Sequence, residues 1–353
     1  MRSTVLSLLL IFLALSSRAQ QGTQKYLRKN EKAPIISYTE NETYARGIFV
    51  DSPENTSSSG VDHRVFTANA SGEVYVTYLP QNTSKKLVGL DELKELRDID
   101  QSGGYYLAMK SGDNGKILRF NSHGETEVIH SPEWDSTFFD GFDFMGPRGF
   151  LMGDPINGVF ELYHTENAGK TWARCPTSVN AFEGEAGFAG SGTNVQMLND
   201  STYIFVSGGT KSRFFRSTNN GLSWTNVVLP YYQEPSSGAF SVCFMNDSVG
   251  VIVGGDYLQP DLRLNTSFYT TNGGQTWYNS TQPLRGYRSC VFEYNSVFYA
   301  CGTNGIDASL DNGKTWFPFA DGNYFTLSAT PSKLIATRKN GDIQLFDLIQ
   351  LKK

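Results

Sequence analysis

The stretch Thr270-Thr-Asn-Gly-Gly-Gln-Thr-Trp277 decides how this chain is read, because it recurs. Thr165-Glu-Asn-Ala-Gly-Lys-Thr-Trp172, Ser217-Thr-Asn-Asn-Gly-Leu-Ser-Trp224 and Ser309-Leu-Asp-Asn-Gly-Lys-Thr-Trp316 repeat the pattern Ser/Thr-x-Asp/Asn-x-Gly-x-Ser/Thr-Trp. The third residue can hydrogen-bond backbone amides within a turn. The glycine takes the positive φ that such a turn requires. The tryptophan opens the following strand and wedges between neighbouring sheets. Asn167, Asn219, Asn272 and Asp311 are therefore expected to be structural, closing hairpins and taking no part in catalysis.

The four tryptophans lie 52, 53 and 39 residues apart, and the intervals hold alternating apolar runs broken by turn residues. Ser241-Val-Cys-Phe-Met, Asn-Asp-Ser, Val249-Gly-Val-Ile-Val-Gly-Gly is one such pair of strands. A repeat of that length and content is one four-stranded propeller blade. Tyr44–Leu79, Leu96–Ile129 (with a worn copy of the motif at Asn121-Ser-His-Gly) and Tyr324–Leu348 fit the same pattern. Units near Phe138, Thr193, Ala239 and Tyr287 bring the count to seven, although six or eight also fit. The expected fold is all-β, a single β-propeller of seven four-stranded blades over residues 20–353, with Pro34–Tyr38 as an outer strand closing the ring. Leu90–Leu96 is the one helix candidate, and Asp51–Gly60 reads as a surface loop.

Composition agrees with that reading. The 353 residues are 13% aromatic and 18% charged and include 35 glycines, which suits short strands and tight turns. The net charge of −5 argues against a nucleic-acid binder, which carries a basic face. Arg2, the apolar run Val5–Leu15 and Ser17-Arg18-Ala19 read as a signal peptide over residues 1–19. That run is shorter than the ~20 residues that span a bilayer. Eight Asn-x-Ser/Thr sequons follow, at Asn41, Asn55, Asn69, Asn82, Asn199, Asn246, Asn265 and Asn279. Together these features predict a secreted, extracellular, monomeric glycoprotein without stable membrane insertion.

Four cysteines are present. Arg288–Tyr294, Asn295-Ser296 and Val297–Cys301 read as a two-residue hairpin, and counting back from the turn sets Cys290 opposite Cys301. Opposed residues have Cβ atoms ~4.5–5.5 Å apart, close to the ~3.5–4.5 Å of a disulfide. Cys290–Cys301 is the expected bridge, which leaves Cys175–Cys243 as the second. The histidines His63, His123, His130 and His164 are scattered, and no Cys/His spacing suggests zinc. There is no P-loop, and Gly187-x-x-Gly-x-Gly192 lacks the βαβ context of a dinucleotide site. Neither a cofactor nor a metal is expected.

The repeated turn is the Asp-box, and with it the chain resembles the sialidase-like propellers. The order of Arg46-Gly-Ile, Leu96-Arg-Asp-Ile, Phe138-Phe-Asp-Gly-Phe-Asp-Phe, Gly149-Phe-Leu-Met-Gly-Asp-Pro-Ile-Asn-Gly158, Gly184-Glu-Ala-Gly-Phe-Ala-Gly-Ser-Gly-Thr193, Gly254-Gly-Asp256 and Gly286-Tyr-Arg-Ser289 is similar to that of exported bacterial propellers. Those proteins in turn resemble photosystem II assembly and stability factors. The resemblance covers residues 40–350 and implies a propeller scaffold.

The innermost strand of each propeller blade lines the central channel, so polar residues at the starts of those strands converge. This reading gathers Arg46, Arg97, Asp98, Asp140, Glu185, Ser237, Tyr287 and Arg288, with Asp154 and Asp256 on the same face. Arginine suits a carboxylate because its planar fork meets both oxygens. The expected function is a binding or scaffold module for an anionic glycan or a protein partner at the channel mouth, with Arg46, Arg97, Asp98, Asp154, Asp256 and Arg288 as ligand-binding residues. The sialidase resemblance implies an alternative, a glycoside hydrolase or lyase, with Tyr287 and Glu185 as nucleophile pair and Asp140 as acid. Two departures weigh against it. Arg46 is followed by Gly-Ile and not Ile-Pro, and Tyr287 adjoins Arg288, so the two side chains alternate faces if both lie in a strand.

Overall fold

The computed structural model describes residues 30, 32–37, 43–51 and 63–350. The signal-peptide reading, Asn41, Asn55 and nearly all of the Asp51–Gly60 loop fall outside them. Seven antiparallel sheets follow one another along the chain as the blades of a propeller. Blade 1 holds Ala45–Asp51, His63–Asn69, Glu73–Leu79 and Thr83–Gly89; blade 2 holds Leu96–Ser102, Tyr105–Lys110, Lys116–Phe120 and Thr126–Ile129. Blade 3 holds Phe139–Met145, Arg148–Ile156, Val159–Thr165 and Ala173–Arg174; blade 4 holds Val195–Asn199, Thr202–Val206, Arg213–Ser217 and Thr225–Val228. Blade 5 holds Ser237–Phe244, Gly250–Asp256, Ser267–Thr270 and Tyr278–Asn279; blade 6 holds Cys290–Tyr294, Val297–Gly302, Gly305–Ser309 and Phe317–Ala320. Blade 7 holds Tyr324–Ala329, Lys333–Arg338 and Ile343–Asp347, and takes its outer strand from Ile35–Ile36, with Ile36 opposite Ile343. Two 3-10 turns, Asp91–Leu93, within the Leu90–Leu96 helix candidate, and Pro132–Trp134, lie between strands.

The second strands explain why the runs are apolar throughout. Each sheet is sandwiched between two others, so alternate residues feed two different cores. In blade 5, Val251 and Val253 pack towards blade 6, while Ile252 packs towards blade 4. In blade 4, Tyr203 and Phe205 pack towards blade 3, and Ile204 and Val206 towards blade 5. Seven apolar clusters result, one in each seam. Ile36 joins Val65, Leu79 and Ile335 in the seam between blades 7 and 1, where the ring closes.

The Asp-boxes behave as their chemistry requires. Asn167 Oδ1 accepts the Thr171 amide at 2.9 Å, and Thr165 Oγ1 accepts the Gly169 amide at 3.2 Å. The same pairs recur with Asn219 and Ser223, Asn272 and Thr276, and Asp311 and Thr315. Even the worn copy works, since Asn121 Oδ1 accepts the His123 and Glu125 amides.

The Asn295-Ser296 turn has φ of 51° and 64°, and Cys290 stands opposite Cys301 as the register requires. All four cysteines are free thiols in this structure. The second pairing is corrected: Cys175 is buried between blades 3 and 4, whereas Cys243 packs between blades 5 and 6. Among the sequons, Asn69 is also corrected as a glycan site. It is 1% exposed, its carbonyl oxygen accepts the Ser71 and Glu73 amides, and its amide donates to Glu73.

Candidate functional site

The inner strands all run from one mouth of the channel to the other. At the far mouth they end around a cavity of 320 Å³ lined by Asp98, Asp100, Asp143, Glu293 and the rings of Phe49, Phe142, Phe244 and Phe292. The aspartates there tie blade to blade. Asp98 Oδ2 accepts the Phe142 amide at 3.0 Å and Asp100 Oδ2 the Phe144 amide at 3.0 Å; Asp143 Oδ2 accepts the Met197 amide at 2.6 Å. Gln196 and Ser241 repeat the device towards Phe244 and Val291. Burial raises Asp98 and Asp100 well above the usual carboxylate range, and it raises Asp143 to about 6. Asp98 is thus structural and does not face the mouth assigned to it from sequence.

The near mouth is a cavity of 410 Å³ where the inner strands begin. Arg46 and Arg97 enter it from blades 1 and 2, Tyr287 and Ser289 from the lead-in to blade 6, and Tyr324 and Phe325 from blade 7. Phe188, Phe240 and Tyr257 complete an aromatic wall; the Phe188 and Phe240 rings stack at 4.1 Å, and the Tyr287 ring meets Phe240 edge-on at 4.8 Å. Burial raises the Tyr287 phenol above its ordinary range, so it enters the cavity as a neutral hydroxyl.

The channel between the mouths is not open. The glycine-rich segment 184–193 passes through it and forms the floor of the near cavity. Arg46 Nη1 donates to Gly190 O at 2.8 Å, and Arg97 Nη1 donates to Ala189 O at 3.3 Å. Ser191 Oγ donates to Ser289 O at 2.7 Å. The Gly187 amide donates to Asp154 Oδ1 at 2.8 Å. A Cβ on Gly187 would collide with the Asp140 carboxylate, and one on Gly192 with that of Asp98. Asp140 is fully buried, and a side-chain hydrogen bond joins it to Asp154. Burial and the neighbouring Asp154 hold the Asp140 proton well above the usual range, while burial raises Asp154 to about 6. Beside the Ala189 amide, which favours the charged form, Asp140 meets no well-aligned donor when both groups are ionised, and one proton shared by the pair satisfies it.

Three expected members stand elsewhere. Glu185 is locked in a two-point ion pair with Arg213, at 2.8 and 2.7 Å, and also accepts from Ser207. It neither lines the cavity nor meets Tyr287, so the nucleophile pair implied by the sialidase resemblance is not formed. Arg288 is fully buried and pairs with Asp307, with further bonds to Asn304 Oδ1 and Tyr287 O. Asp256 caps its own turn, accepting from the Leu258 amide and the Gln259 side chain. Phe188, Phe240, Tyr257 and Phe325 were missed, because an aromatic that lines a cavity has the same local sequence as one that fills a core.

The two cavity arginines differ in one respect. Arg97 is paired with Glu95 at 2.9 Å. Arg46 faces Tyr44 and Phe325 with its guanidinium at 4.9 and 5.4 Å from the ring centres, and its buried Nε has no hydrogen-bond partner. Burial, and then the charge of Arg97, lower its pKa. Among the described residues Arg46 is a desolvated cation without a carboxylate in ion-pair contact, which favours the arrival of an anion.

No family model matches the chain. Among curated proteins it is similar to sortilin from Rattus norvegicus and from Mus musculus, at 24% identity over 289 residues, 73% of this chain and 32% of each relative. The chain thus spans about a third of the length of the curated relatives it matches. Among solved structures, YCF48 from Cyanidioschyzon merolae superposes with a TM-score of 0.58 at 15% identity, covering 89% of this chain and 98% of that one. YCF48 bound to D1 peptide gives 0.58 at 13% identity, covering 90% and 97%. Identities this low show the β-propeller fold alone.

Proposed function

We propose that this protein is a binding module that receives an anionic group of a glycan or protein partner in the Arg46 mouth. The observation that carries the reading is Arg46, whose buried Nε has no hydrogen-bond partner and which meets no carboxylate among the described residues, inside an aromatic-lined cavity. Tyr287 and Arg97 supply further donors, and the Ala189 and Gly190 carbonyls are already spent on the arginines. The peptide carried by the YCF48 structure is in keeping with partner binding by this architecture. Catalysis is the weaker reading, because Glu185 is bound to Arg213 and Asp140 lies beneath the segment that floors the cavity.

In this proposal the chain is an Asp-box propeller, secreted behind residues 1–19 as a monomer. Glycans sit on the exposed sequons Asn82, Asn246 and Asn279. In an oxidising compartment Cys290 and Cys301 form a disulfide. Burial raises a thiol, but bonds from Cys301, the Leu327 amide and Thr326 outweigh it and bring Cys290 to about 7, the more readily ionised of the two.

Arrays of sialylated, sulfated and uronic-acid glycans and of acidic peptides, probed with the full chain and with Arg46→Gln, test the reading. Retained probes should carry an anionic group and lose about tenfold in affinity in the variant, as expected when one charged partner is removed. Binding confined to neutral probes, or unchanged in Arg46→Gln, overturns it.

A further inference from the structure

Five of the eleven large apolar side chains exposed among the described residues lie at the near mouth, beside blades 4 and 5: Phe182, Tyr232, Tyr257, Leu258 and Leu264. Leu258 is 71% exposed and Leu264 57%. These are not loose loops. The Asn265 side chain donates to Pro230 O at 2.8 Å, the Tyr257 amide donates to Ser236 O, and the Tyr287 amide donates to Pro260 O at 2.9 Å. The loop that bears Leu258 is therefore pinned both to the loop that bears Tyr232 and to the cavity wall. Tyr257 belongs to ridge and cavity together, with its ring edge-on to Phe188 and Phe240.

We infer that this ridge is a docking surface for a protein partner. The partner lays aliphatic or aromatic side chains across Tyr232, Tyr257, Leu258 and Leu264 and sends a carboxylate down to Arg46. The inference rests on the reading of the Arg46 mouth as a ligand site and names its ligand class. Charge complementarity selects the carboxylate, since among the described residues Arg46 is the cavity arginine without an acid. The leucines select a protein over a sugar: a pyranose stacks on aromatic rings, but two exposed leucines are covered best by apolar side chains. Sequon placement agrees. Asn82 and Asn246 lie in turns at the far-mouth end of their strands, and Asn279 lies on an outer strand. At the near mouth, among the described residues, Asn69 is buried and the Asn265 amide is engaged by Pro230.

A phage-displayed random-peptide library, panned on the full chain, supplies the probe. Selected peptides are titrated against the unmodified protein, the double variant Leu258→Ser/Leu264→Ser, and Arg46→Gln. The expected peptides carry an acidic residue or free terminus beside apolar residues. They should lose about tenfold or more in each variant, the size of a moderate hot-spot truncation. Thermal unfolding confirms that the exposed substitutions leave the fold intact, and Leu258→Lys alone gives the same readout if the double variant does not fold. Loss in Arg46→Gln with unchanged binding in the ridge variant overturns the docking ridge and leaves the mouth reading standing. Loss in neither variant overturns both. A library that yields no binder overturns the ridge.

Discussion

At the scale of single residues, identity says less than partnership. Arg46, Arg97, Arg213 and Arg288 are chemically alike, yet three of them are committed to Glu95, Glu185 and Asp307. Those acids lie 2 to 28 positions away in sequence, on neighbouring strands or loops, so strand starts alone could not separate a free arginine from a spent one. The same holds for Asp140, whose candidacy as an acid becomes a shared proton with Asp154. That proton has a consequence for stability. An acid whose folded pKa lies above its unfolded value holds its proton more tightly when folded. Its stabilising contribution is complete below about pH 4 and is lost as pH rises through the folded value, which is about 6 for Asp154 and well above the usual carboxylate range for Asp140. Asp140→Asn keeps a donor facing Asp154 at every pH. The melting temperature of the unmodified protein should therefore fall several degrees more between pH 5 and pH 8 than that of the variant. Parallel curves would show that the pair shares no proton.

At the scale of elements, the strands and turns were largely legible and the channel segment was not. The Asp-boxes, the Asn295-Ser296 hairpin and the Cys290–Cys301 register follow from local chemistry, and they stand as the residues require. The Gly184–Thr193 motif reads as the start of an inner strand, which places Glu185 on the channel wall. In the structure that strand is Val195–Asn199; ahead of it the motif pairs, through Glu185–Ala186, with Gly208–Gly209 at the edge of the blade 5 sheet. Its glycines record close approach to acids on other blades, a long-range constraint that no local pattern carries. Gly192 and Gly158 separate the causes, because their φ values are 75° and 77° while only Gly192 lacks room for a Cβ. Asp98 cannot swing aside, being buried and bonded to the Ile99 and Phe142 amides. Gly158→Ala should cost about 1–2 kcal/mol from backbone conformation alone. Gly192→Ala should cost a further ~1–3 kcal/mol from overpacking, read by denaturant unfolding. Equal losses would mean that the segment is free to move off Asp98.

At the scale of the molecule, the sequence carries the repeat, and the repeat carries the ring. Seven sheets sandwiched in a closed circle need residues that are apolar on both faces, and seven seams are filled that way. What the ring leaves open is a difference between its ends. The far mouth is acidic and given over to ties between blades. The near mouth is aromatic, floored by the protein's own backbone, and holds a cation with no carboxylate partner among the described residues. Function is assigned to the near mouth on that asymmetry. The most direct measurement is a crystal structure of the full chain with a carboxylate-bearing ligand selected by binding. The account predicts a carboxylate oxygen within about 3 Å of Arg46 Nε or a terminal guanidinium nitrogen, the distance of a charge-assisted hydrogen bond, with Tyr257 covered by the same ligand. A ligand seated in the far mouth among Asp98, Asp100 and Asp143, or on the outer strands, with Arg46 untouched, would contradict it.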